Sequence, residues 1–142
     1  MLRDDRQVAI NQVIEALLNA ADVHREGADL LDADPDLAGV LRVLAERRQD
    51  VARELGEHVR RLGDLPSEPD ADLQAAKSVL GWLQAALAED RRDEVLQHCR
   101  QAEEDLAAQA RAALEQDLPP DTRALLEEFV RVPELRAPSG SG

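Results

Sequence analysis

Apolar residues recur along this chain at alternating steps of four and three, the period of one face of an α-helix. Ile10, Ile14, Leu17, Ala21, His24, Ala28 and Leu31 make the first such row and predict a helix from about Asp5 to Leu31. The stretch DADPD should end it, because Asp34 can cap a following helix and Pro35 suits a first helical position, where no N–H is needed. A second row, Leu37, Leu41, Leu44, Arg48, Val51, Leu55, His58 and Leu62, predicts a helix from about Pro35 to Leu62. Gly63 stands where the chain can turn into the left-handed region and stop that helix. At 1.5 Å per residue the second helix is a rod of roughly 40 Å. A connection this short makes the two helices antiparallel neighbours.

GDLPSEPD, Gly63 to Asp70, is the main break in the pattern. Beyond it Leu73, Ala76, Leu80, Leu83 and Leu87 predict a third helix over about Ala71 to Ala88, its apolar face widened by Val79 and Trp82. DRRD, Asp90 to Asp93, offers a cap and an acidic residue three positions later. A fourth helix follows over about Arg91 to Gln116. Pro119 and Pro120 open a fifth, which carries Leu125, Leu126, Phe129 and Val130 and is limited by Pro133. No repeat at a solenoid period is present. The expectation is an all-α antiparallel bundle over residues 1–132, with residues 133–142 as a flexible tail.

Composition narrows the partners. A chain of 142 residues suits one domain. Trp82 and Phe129 are the only aromatics, so Leu, Val, Ile and Ala must fill the core. The formal charge of −13, from 30 acidic and 17 basic residues, argues against nucleic acid and against an anionic membrane surface. No apolar run is long enough to span a bilayer. Residues Met1 to Gln7 are charged and carry no apolar signal core, so a cytoplasmic location is expected. Cys99 is alone, which leaves no disulfide framework.

Three polar residues interrupt the apolar rows: His24, Arg48 and Glu103. If the fourth helix runs parallel to the second, all three lie at one height in the bundle. They then read as a buried polar layer in which Arg48 neutralises Glu103. Rotation of the fourth helix could instead leave Glu103 solvated at the edge of the core. A carboxylate-bridged di-metal centre would need a Glu from each of two helices and a Glu-x-x-His pair from each of the others. In ELGEH, His58 follows Glu54 by four and Glu57 by one, and the fifth helix offers Glu127 and Glu128 with no His. A residual metal site would draw on Glu54, His58, Glu103 and His24. There is no glycine-rich phosphate loop. His98 and Cys99 are adjacent on a helix and point apart, so they cannot act as a base and nucleophile.

INQVIEALLNAADVHREGADLL, LAERRQDVARELGEHVRRLG and CRQAEEDLAAQARAALEQDLPPDTRALLEE together resemble a bacterial ferritin-like four-helix-bundle family of unknown function. The likeness covers roughly residues 8 to 130. It implies two antiparallel helix pairs joined by a long crossover, with residues 71–88 as a crossover helix. It also implies that Glu103, at the family's Gly-Glu-Asp triplet, descends from a ligand helix, and it matches Glu54 to the family's Glu-Leu. The chain departs from the family at His24 and Val51, where relatives carry aromatics, and in its short last helix. Those losses put metal binding and oxidase activity in doubt. The functional expectation is a non-enzymatic bundle without cofactor. It would act by self-association or by binding a protein partner through Val79, Trp82 and Phe129. The alternative is a residual di-iron-type metal binder.

Overall fold

The structure, a computed structural model, describes residues 5–31, 33–63 and 91–132. These form four helices and no strand: α1 (Asp5–Leu30), α2 (Pro35–Arg61), α3 (Arg91–Ala113) and α4 (Pro120–Glu127). The helix expected over residues 71–88, the cap at Asp90 and the tail expected over residues 133–142 lie outside the described residues.

The punctuation acts through specific groups. Asp34 accepts the N–H of Leu37 at 3.3 Å, and Pro35 follows it as the first residue of α2. At the other end Gly63 takes φ +89° and donates its N–H to the carbonyl of Arg60 at 2.9 Å. A side chain at that φ would be strained, so glycine is the residue the turn needs. α4 ends at Glu127, earlier than Pro133 requires. Its last carbonyls are met by the N–H groups of Glu128 and Phe129.

Side-chain contacts fix the helix directions. Gln7, early in α1, donates its amide to the carbonyl of Leu62, while Arg42 reaches Asp29 at 3.2 Å, so α1 and α2 are antiparallel. Core partners pair early α1 with late α3, making that pair antiparallel too. α2 and α3 therefore run parallel. α4 runs against both: Arg61 reaches Asp121 and Arg47 reaches Glu128, and Arg111 of α3 donates to the carbonyl of Val130. α1 packs on α2 and α3, and α4 packs on α2 and α3, so the order around the bundle is α1, α2, α4, α3. α2 and α3 face each other across the diagonal.

Among the described residues the fourth corner is only partly filled. Eight residues make α4 a rod of about 12 Å beside an α3 of about 35 Å. The core divides accordingly. One cluster joins Ile10, Ile14 and Leu17 of α1, Val51, Leu55 and Val59 of α2, and Leu106 and Ala110 of α3 to Leu126 and Phe129 at the α4 end. The other gathers Ala28, Leu31, Leu37, Leu41, Val95 and Cys99, and takes nothing from α4. Fully burying a Leu contributes about 1.5–3 kcal/mol, so the larger cluster carries more of the stability. Among the described residues no helix is long and apolar enough to cross a membrane.

Candidate functional site

Between the two apolar clusters lie His24, Arg48 and Glu103, one from each long helix. The 4,3 spacing that turns Leu17 and Ala28 inward turns His24 inward between them. Arg48 likewise falls between Leu41 and Val51, and Glu103 between Cys99 and Leu106. All three are buried, at 0, 7 and 2% exposure.

Both oxygens of the single carboxylate are taken. Oε2 of Glu103 accepts from Nε of Arg48 at 3.0 Å and meets Nε2 of His24 at 2.8 Å. Oε1 accepts from Nη2 of Arg48, completing a two-pronged pair across the bundle diagonal. A carboxylate can only accept, so Nε2 of His24 carries the proton. Nδ1 of His24 is buried with no partner. A proton on that nitrogen would find no acceptor in this packing. Beyond Glu103, the Arg48 guanidinium lies over the ring of Phe129, 5.0 Å from its centroid, within the range of a cation–π contact.

Burial pushes the Glu103 carboxyl up, but hydrogen bonds from His24 and Arg48, with the charge of Arg48, outweigh it and hold the group below its ordinary value. Cys99, one turn before Glu103, is pushed up to about 12, first by burial and then by the charge of Glu103. A thiol in that state is no nucleophile near neutral pH, so its place is that of a small apolar side chain.

The four residues named for a residual metal site are not brought together. His24 and Glu103 meet, but Glu54 is exposed on α2 and His58 turns toward α4, where its Nδ1 bonds the hydroxyl of Thr122. Among the described residues no group of three or more His, Cys, Asp or Glu side chains could hold a metal ion. The physical reason lies in α2 itself: His58 stands at the edge of the buried stripe that Arg48 and Leu55 centre. Burial first, then the charge of Arg61, lowers the tendency of His58 to protonate, against Asp121 and Glu54. His58 lines an open groove of about 510 Å³ between α2 and α4, together with Glu54, Glu57, Arg61, Asp121 and Glu128.

Phe129 needs correction. It was expected to present an uncovered apolar surface, yet it is 2% exposed, because the turn after α4 folds it under Arg48 and into the larger cluster. Val79 and Trp82 lie outside the described residues. The large apolar residues that are exposed among the described residues are Val40, at 38%, and Val43, at 68%. Both stand off the row Leu37, Leu41, Leu44, Arg48, a signal present in the sequence. Buried Gln7 and Thr122 were also legible: Gln7 is one step before Ile10 in its row, and Thr122 precedes Leu126 and Phe129 by four and seven.

Comparison of the chain with protein-family models, with curated proteins and with solved structures finds no match. What the chain does has to be argued from its own geometry.

Proposed function

We propose that this chain is a ferritin-like bundle without catalytic activity, whose former ligand centre is closed by a structural ion pair and whose work is association with itself or with another protein. Topology supports the fold part of the reading. α1–α2 and α3–α4 are antiparallel neighbours while α2 and α3 are parallel, so the chain leaves one end of the bundle at Gly63 and returns at the other end at Arg91. That path is the one a long crossover takes.

The observation that carries the functional part is the Arg48–Glu103 pair. The guanidinium is a fixed positive charge, set where a carboxylate-bound cation would sit, and with His24 it occupies both oxygens of Glu103. A metal would have to displace two buried donors. The association part draws on Val40 and Val43, exposed apolar side chains about one turn apart on α2.

The test is a metal inventory on protein purified without an affinity tag, followed by an Fe(II) oxidation assay. No stoichiometric transition metal and no oxidation above blank is the expected result. Stoichiometric metal that disappears in Glu103→Gln would replace this reading with that of a carboxylate metal site.

A further inference from the structure

We infer that two copies of this chain pair through α2, antiparallel about a two-fold axis, with Val40 of each copy against Val43 of the other. This deepens the association reading above and rests on it. Asp36, Val40, Val43 and Arg47 follow one another at steps of four, three and four, so they share one face of α2. That face looks toward the corner of α4, which among the described residues is only partly filled, since Arg47 meets Glu128 just past the end of α4.

Two features mark the face as one made to be covered. Valine is a poor helix former whose β-branching costs rotamer freedom, a cost that packing normally offsets. Here Val43 is 68% exposed and has little packing to offset it. Beside the valines, Gly39 has nothing within 4 Å of where a Cβ would sit, so another helix can approach closely.

The pattern favours a second copy over an unrelated protein. Asp36 precedes Val40 by four, and Arg47 follows Val43 by four. An antiparallel pairing that sets Val40 opposite Val43 therefore also sets Asp36 opposite Arg47, twice, as an isologous interface requires. Arg47 gives only Nη2 to Glu128, which leaves the rest of its fork for an incoming carboxylate.

Sedimentation velocity on the full chain, from about 10 μM to about 1 mM, tests the pairing. The wild type should dimerise within that range, and Val43→Glu should raise the dissociation constant by about tenfold or more. Asp36→Arg alone should weaken the dimer, and Asp36→Arg with Arg47→Asp should restore it. All these positions are exposed, and circular dichroism checks that helicity is kept. A wild type that stays monomeric throughout overturns the pairing and leaves only association with another protein. A dimer indifferent to Val43→Glu, or one the charge swap fails to restore, overturns this surface while self-association stands.

Discussion

At Glu103 one carboxylate answers two buried donors, and the energetics of that arrangement are asymmetric. Taking Arg48 and Glu103 out of water costs several kcal/mol for each ion, and their attraction does little more than offset it. Removing one partner is a different matter, because the other charge stays buried and unmatched. Glu103→Gln should therefore destabilise the fold by about 3–5 kcal/mol at pH 7 in urea unfolding. Replacing the whole layer, His24→Leu with Arg48→Met and Glu103→Leu, should leave stability within about 1 kcal/mol of wild type or above it. A triple variant as weak as the single one would mean the layer stabilises in its own right. The pH dependence follows from the depressed Glu103 value. Its contribution is fully present above the ordinary titration of an unfolded Glu, near 4.5, and is lost as pH falls through the lower folded value. The gap between wild type and Glu103→Gln should therefore narrow only below pH 4.5. Much of this site can be read from the chain, because a heptad row makes any polar intruder conspicuous. The orphaned Nδ1 of His24 and the Phe129 ring beneath Arg48 cannot be read that way, since both depend on contacts between distant segments.

The helices differ in how closely they approach one another, and two glycines report it. A Cβ on Gly27 would lie 2.8 Å from Cγ1 of Val95 and 3.3 Å from Sγ of Cys99, so α1 and α3 touch there almost backbone to side chain. Both neighbours are buried and stiff. Gly27→Ala should cost about 1–3 kcal/mol through overpacking, despite the gain in helix propensity. Gly39→Ala meets nothing and should stabilise the monomer by about 0.5–1 kcal/mol. Thermal unfolding in dilute solution measures both, and a neutral Gly27→Ala would show that α1 and α3 can part without loss. The starts and stops of α1, α2 and α3 were readable to within about three residues, because caps and periodicity are local. The end of α4 was not. Proline chemistry allowed it to reach Pro133, but burial of Phe129 draws the chain into a turn after Glu127, and that is a tertiary demand.

For the molecule as a whole, the parallel course of α2 and α3 has a kinetic meaning. α1 and α2 are joined by a few residues, so their pairing closes a small loop at little entropic cost. α3 must return from the far end of the bundle, and its arrival, with Phe129 after α4, dries the space around Arg48. Until then the two charges are better served by water than by each other. The expected order is a hairpin of α1 and α2 first and the ion pair late, on the native side of the folding barrier. In stopped-flow measurements Glu103→Gln should then speed unfolding by nearly its whole stability loss and leave the refolding rate almost unchanged. Slowed refolding would move the charge pair into the nucleus, and Arg48 would be organising the fold from the start.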